Sequence, residues 1–329
     1  MAANLTPQYL KVQEAYRRAQ TPQEQLECLE KMFELMPKHK ASEKLQADLK
    51  TRMKQTREEL QVEKSAPKKG KSYSFPRQGA GQIVIIGAPN AGKSRVLKEL
   101  THAQPEVAPY PFTTREPLPG MMPWEDVTVQ LIDTPPITKS MFEPYLSSLV
   151  RTADAVLLCF DGSSDDAPEE TADVIQHFTE RKTQLAKESG FADDDYSIVL
   201  VKTLLVVTRG DDPGCSDRLD FFHEMVSSRP DELRVELDRP DSVAELRNRA
   251  YQMLNLLRAY TKAPGKPANY TSPFTLPEGS NVEDLAAKVH QDIAAKLTHA
   301  RVWGSGLHDG QTVGREHILH DQDLVELHA

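Results

Sequence analysis

The 329-residue chain holds only three cysteines, and no apolar run in it reaches membrane-spanning length. Cys28, Cys159 and Cys215 are odd in number and far apart. They form no disulfide framework, metal-ligand spacing or redox motif, so reduced thiols in a cytosolic chain are expected. Met1 to Lys11 lacks the apolar core of a signal peptide. Positive charge is not in excess. Lys and Arg number 40 against 49 Asp and Glu, and the net charge of −9 argues against a surface that coats nucleic acid throughout, while allowing a local basic face. No internal repeat interrupts the chain, which excludes a solenoid.

What is present is the composition of a globular protein, 39% hydrophobic and 27% charged, in a chain long enough for two or three domains. From Thr6 to Gln61 the apolar residues recur at helical spacing and β-branched residues are scarce. Thr21-Pro22 with Glu24 reads as a helix start, and Pro37 as the break before a third helix. Lys64 to Gln78 turns polar and basic, a linker or strap. The rhythm then changes. Ile83–Ile86, Val127–Ile132, Ala155–Phe160 and Leu204–Val207 are near-continuous apolar runs that suit parallel strands buried on both faces. Helical segments lie between them, near 93–102, 139–150, 168–187 and 217–227, with a closing helix near 242–257. This is the pattern of a doubly wound α/β sheet. After Pro264-Gly265 the chain reads as a small α+β module with a helix over 282–297 and strands at Arg301-Val302-Trp303 and Leu324–Leu327. The expected units are 1–75, helical with a basic linker; 76–257, a doubly wound domain; and 258–329, the C-terminal module.

Gly87-Ala88-Pro89-Asn90-Ala91-Gly92-Lys93-Ser94 joins the first apolar run to a helix. Such a loop turns backbone N–H groups inward around phosphate oxygens, and the helix N-terminus adds its positive dipole. Lys93 is placed to reach the β and γ phosphates and the Ser94 hydroxyl to ligate Mg²⁺. Ordinary residue frequencies produce this pattern in a chain of this length on the order of once in a hundred. Pro89, Asn90, Ala91, Gly92, Lys93, Ser94 and the following Arg95 are the candidate nucleotide contacts. Asp133, ending its apolar run, is a candidate Mg²⁺ holder, commonly through water. Thr208-Arg209-Gly210-Asp211 follows another run. A carboxylate at Asp211 accepts two hydrogen bonds from guanine, which adenine cannot supply, and the Arg209 stem is placed to cover the base.

These motifs resemble those of the Obg-related GTPases, and most closely the developmentally regulated GTP-binding protein branch. Tyr110-Pro111-Phe112-Thr113-Thr114 is similar to that family's first switch, and Arg151-Thr152-Ala153-Asp154 to the approach to its next strand. The segment from Pro37-Lys38-His39-Lys40 through Leu49-Lys50 is similar to the region ahead of the G domain. Arg258–Lys262, Ala300–Gly304 and Asp309-Gly310-Gln311 resemble a TGS module. The resemblance implies a P-loop G domain followed by a β-grasp module, GTP and GDP as ligands, and Mg²⁺ completed by Thr113 or Thr114. It also implies GTP hydrolysis with Lys93, Thr114 and Asn90 as catalytic groups, Asn90 through a K⁺ ion beside the phosphates, and action around ribosomes or RNA. Asn90 acting only on loop conformation is the equal alternative.

Departures from the family pattern limit the expected hydrolysis. After Asp133 comes Thr134-Pro135-Pro136, where the family has a glycine whose amide binds the γ-phosphate; Pro136 has no N–H. Ile137 stands where some GTPases orient water with glutamine. Thr208 and Arg209 replace the usual Asn and Lys, the last guanine loop has no clear counterpart near Leu237 to Ser242, and the subdomain inserted in the closest branch is missing. Basic residues of the third helix and linker, among them Lys38, Lys44, Lys50, Arg52, Arg57, Lys68 and Lys71, are a solvated face or an RNA contact. A GTPase that is slow unless assisted, a hydrolysis-deficient guanine-nucleotide-binding scaffold and an RNA-binding adaptor all stay open at this point.

Overall fold

A computed structural model describes residues 6–19, 21–36, 43–65, 75–101, 116–192, 195, 197–304 and 308–329. Three helices come first: α1 (Pro7–Arg18), α2 (Pro22–Leu35) and α3 (Glu43–Ser65). Thr6 caps α1 by accepting from the Tyr9 amide, and Thr21 with Glu24 forms a reciprocal capping box on α2. Their shared core is Tyr9, Leu29, Met32, Met36, Leu45 and Leu49. Helix α1 docks on the next domain through Arg17, which donates to the Ala153 carbonyl at 2.7 Å, and Arg18, paired with Asp154 at 3.0 Å. Asp154 also accepts from the Gln82 amide at 2.8 Å and pairs with Arg77 at 2.5 Å. The Arg-Thr-Ala-Asp motif is therefore where the N-terminal helices are fastened.

The central domain runs β1 (Gln82–Gly87), α4 (Lys93–Leu100), β2 (Leu118–Trp124), β3 (Val127–Asp133), α5 (Tyr145–Thr152), β4 (Ala155–Asp161), α6 (Ala167–Glu180), β5 (Thr183–Ala186), β6 (Gly190–Phe191), β7 (Val199–Thr208), α7 (Cys215–Met225), β8 (Asp231–Val235) and α8 (Pro240–Gln252). Strand order is β2-β3-β1-β4-β7-β5, with β8 and β6 also paired to β7. Strands β3, β1, β4, β7, β8 and β5 are parallel; β2 is an antiparallel edge on β3, and β6 is antiparallel to β7. One face is covered by α5, α6 and α7 through Leu146, Val150, Val174, Phe178, Leu219 and Phe222. The other is covered by α4 and α8 through Val96, Leu97, Leu100, Leu246 and Ala250. Burial on both faces explains why β1 and β4 read as continuous apolar runs.

A second sheet is built from β9 (Leu256–Lys262), β10 (Asn269–Pro277), β11 (His299–Trp303), β12 (Gln311–Val313) and β13 (Asp323–His328), ordered β10-β9-β13-β11-β12. The central pair β9–β13 is parallel and its neighbours are antiparallel. Helices α9 (Val282–Val289) and α10 (Gln291–Lys296) follow β10, and Val282, Leu285 and Ala286 of α9 pack with Leu257, Ala259, Val302 and Val325. This is a β-grasp arrangement.

Several element bounds differ from those read in the sequence. The helix expected to Leu257 ends at Gln252, because Asn255 takes φ 48° and turns the chain into β9. The helix expected to 187 ends at Glu180, where Lys182 at φ 55° leads into β5. That expected from 139 begins only after Pro144, and that expected over 282–297 is broken at His290. Among the described residues no helix is long and apolar enough to cross a membrane.

Candidate functional site

The strand ends gather the chemistry. Gly87 ends β1, Asp133 ends β3, Asp161 ends β4, Thr208 ends β7 and Val235 ends β8. These carboxyl ends lie along one edge of the sheet, the side on which open α/β sheets bind ligands.

The loop 87–94 is shaped by its two glycines. Gly87 has φ 152°, and a Cβ there would sit 2.8 Å from the Cys159 carbonyl oxygen; Gly92 has φ 89°, and a Cβ there would sit 2.9 Å from Thr208 Cγ2. Only glycine meets both constraints at each position. Asn90, exposed near the loop apex, takes φ 58°, which asparagine tolerates better than most residues. Helix α4 opens at Lys93 with Gly92 as its N-cap and no side-chain cap. The Val96 amide donates to the Gly92 carbonyl at 2.9 Å, and the amides ahead of it have no intrahelical acceptor. They form a ready anion site.

Lys93 is 6% exposed, and its Nζ donates to the carbonyls of Gly87 at 3.0 Å and Ala88 at 2.7 Å. Burial lowers its pKa, offset in part by nearby Asp133. Ser94 Oγ donates to Asp133 Oδ2 at 2.6 Å. Burial raises the Asp133 pKa, with the Ser94 hydrogen bond and Lys93 acting against it. Among the described residues, Asp133 Oδ1 is buried and has no hydrogen-bond partner. A hydroxyl, a carboxylate with an orphaned oxygen and the amides of a helix N-terminus are the donor set that a Mg²⁺-bound phosphate needs. The residues present fit both groups. Beneath the loop, burial pushes the Cys159 thiol up to about 12, so it stays protonated.

Thr208, which the sequence puts among the nucleotide contacts, ends β7 beside Gly92 of the loop. It is buried, and its hydroxyl lies 3.1 Å from both the Ala91 and Phe160 carbonyl oxygens, tying the phosphate loop to β4. Arg209, at φ 52°, is half exposed and ion-paired with Asp161. Asp211 is exposed, and among the described residues nothing engages its carboxylate. Its neighbour Asp212 is committed, accepting from Arg218 at 2.6 Å and from the Gly214 amide at 2.9 Å. Arg95 pairs with Asp238 in the loop after β8. In that loop the Glu236 amide donates to Ser242 Oγ at 2.9 Å. Strand β8 carries charged residues and gives no strand signal in the sequence.

The stretch after Asp133 is docked. Thr134 is buried and both its amide and its hydroxyl donate to the Ile85 carbonyl, at 3.2 and 2.8 Å. The Ile137 amide donates to the Gly87 carbonyl at 3.2 Å, and its fully buried side chain joins the core with Ile132 and Leu146. Thr113 and Thr114 lie outside the described residues. Of the basic residues flagged in the first domain, Arg52 pairs with Asp48, Arg57 with Glu30, and Lys50 lies over the Phe33 ring. Lys38, Lys68 and Lys71 are outside the described residues, as is the side chain of Lys44.

Residues 82–200 match the family model described as 50S ribosome-binding GTPase, and residues 257–329 match the TGS domain. An uncharacterized GTP-binding protein of Halobacterium salinarum is 23% identical over 93% of this chain and 99% of its own length. Developmentally-regulated GTP-binding protein 2 of Mus musculus is 26% identical over 92% of this chain and 98% of its own length. The Schizosaccharomyces pombe YchF GTPase aligns with a TM-score of 0.48 at 13% identity, covering 78% of this chain and 100% of that one.

Proposed function

Because the chain belongs to the GTPases that join a G domain to a C-terminal TGS domain, we propose that it binds GTP and GDP with Mg²⁺ through loop 87–94 and hydrolyses GTP slowly. The observation that carries this reading is the pairing of Ser94 at the start of α4 with Asp133, whose second oxygen is buried and, among the described residues, without a partner. Lys93 exchanges its two loop carbonyls for phosphate oxygens and stabilises the charge between β and γ. Ser94 and Asp133, with Thr113 or Thr114, would hold Mg²⁺, which would supply positive charge against the phosphates. Asp211 selects guanine, the Arg209 stem covers the base, and Thr208 keeps the loop in register. Pro89, Asn90, Ala91, Gly92 and Arg95 line the rest of the path.

Slow turnover follows from the docked second switch. Pro136 offers no amide to a γ-phosphate, and Ile137 is held in the core, so neither orients an attacking water. A K⁺ ion held through Asn90 is the proposed assistance, supplying positive charge that these residues do not. Turnover identical in K⁺ and Na⁺ buffers counts against that role. A partner is the other route, and the ribosome or its RNA is the class proposed, reached through α3 and the TGS module of this cytoplasmic chain. The same reading divides the chain at residues 75 and 257.

The test is a competition series with GTP, GDP, ATP and XTP in Mg²⁺, followed by turnover with and without K⁺ and ribosomes. Preference for GTP and GDP with slow, stimulated phosphate release is expected. Tight GTP binding without release in any condition supports the scaffold reading, and no nucleotide binding at all contradicts the proposal.

A further inference from the structure

Hairpin β2–β3 touches the phosphate site at one end and the TGS module at the other. At the first end Leu118 pairs with Asp133, the residue that accepts from Ser94. The register then runs without a bulge to Trp124 opposite Val127. Seven residues at about 3.3 Å each place the turn roughly 20 Å from the phosphate site. That turn is Glu125-Asp126, with Glu125 at φ 46°.

On the turn sits a guanidinium from the first strand of the TGS sheet. Arg258 is 2% exposed. Its Nη1 donates to Asp126 at 2.9 Å and also to Glu125, while Nη2 donates to Asp321, in its own module, at 2.7 Å. The Tyr260 hydroxyl donates to the second Asp126 oxygen. Beneath it, Arg258 Cζ lies 4.8 Å from the centre of Trp124, which stacks on Tyr251 of α8 at 3.5 Å and donates to Asn248 at 2.9 Å. The Asp321 hydrogen bond raises the Arg258 pKa further, so the group is a permanent cation. Parting the turn from the module would leave Arg258 with Asp321 alone and would strip Asp126 of both the guanidinium and the Tyr260 hydroxyl. The clamp therefore favours states in which the turn and the module keep their relative position.

We propose that the TGS module senses the nucleotide state of the G domain through hairpin β2–β3, with Arg258 as the coupling residue. The proposal rests on the reading that loop 87–94 binds guanine nucleotide. One hairpin end carries Asp133 and the other is clamped by Arg258, so a change of metal and phosphate at Asp133 has a continuous strand along which to reach the module. Thermodynamic reciprocity then requires that loosening the clamp alters the relative affinity for GTP and GDP, although Arg258 touches neither. Arg258 is a positioning residue in this scheme.

The test uses the full chain carrying W303F, which leaves Trp124 as its one tryptophan, since the sequence has two. Affinities for GDP and a non-hydrolysable GTP analogue are measured by calorimetry, and Trp124 emission is recorded in each complex. The same measurements are made on R258Q and, from the other side of the clamp, D126N. Trp124 emission is expected to differ between the two complexes and to lose that difference in both variants. Their GTP-to-GDP affinity ratio is expected to shift by about fivefold or more. Binding of both nucleotides with the same emission, and an affinity ratio unchanged in R258Q and D126N, overturns the coupling while leaving the nucleotide site standing. No binding by the unsubstituted chain contradicts the loop assignment itself, and the coupling falls with it.

Discussion

Asp211 and Asp212 are neighbours with opposite employment. Asp212 is held by Arg218 and the Gly214 amide, whereas Asp211 is exposed and, among the described residues, nothing engages its carboxylate. If Asp211 pairs with the guanine ring N–H and amino group, Asp211→Asn reverses the donor pattern. GTP affinity is expected to fall by about tenfold or more, the size of a lost charged hydrogen bond, while XTP affinity rises; competition binding checks it. Thr208 makes a different demand. Thr208→Val keeps the shape but leaves the buried Ala91 and Phe160 carbonyls without their hydroxyl. A loss of about 1–2 kcal/mol is expected by denaturant unfolding, together with weaker nucleotide binding of every base type, because the loop rather than the base contact is disturbed. The phosphate loop was legible from sequence because its glycines, lysine and serine are adjacent. Thr208's role was not, since it depends on a contact across 117 residues of sequence.

At the scale of elements, the docked stretch after β3 separates this chain from one with a free second switch. Ile137 is at 0% exposure in a core shared with Ile132, Leu146 and Val150, and its amide is spent on Gly87. Ile137→Gln therefore puts a polar side chain into an apolar core. It is expected to cost about 2–4 kcal/mol and to leave GTP turnover no faster; thermal unfolding and single-turnover phosphate release check the two halves. Buried parallel strands such as β1, β4 and the end of β7 announced themselves as apolar runs. Strand β2 did not, because Pro119, Gly120 and Pro123 suit an edge and not an interior strand. Strand β9 was hidden because Leu254, Leu256 and Leu257 continue the spacing of α8, and only the left-handed Asn255 ends that helix.

For the whole molecule, ionic contacts join the N-terminal helices, the central sheet and the C-terminal sheet: Arg18 and Arg77 on Asp154, Lys11 on Asp284 at 2.7 Å, and Arg258 on Asp126. Burial raises the Asp126 and Asp321 carboxyls, but hydrogen bonds to Tyr260 and Arg258 at Asp126, and to Arg258 at Asp321, bring both below their ordinary value. A depressed carboxylate contributes stability above its unfolded pKa and loses it as pH falls through the folded one. The melting temperature is expected to drop on acidification below about pH 4. D126N should show a shallower drop over that range, and calorimetry across the series checks it. An equal slope in D126N would mean that the clamp adds nothing to the acid sensitivity.

The most direct test of the central claim is a crystal structure of the chain with GDP and Mg²⁺. The account predicts the β-phosphate inside loop 87–94 on the amides at the start of α4. Lys93 should be released from the Gly87 and Ala88 carbonyls onto phosphate, with the metal between Ser94 and Asp133. Lys93 still bonded to both carbonyls and no nucleotide within reach of those amides, at saturating GDP, would contradict it.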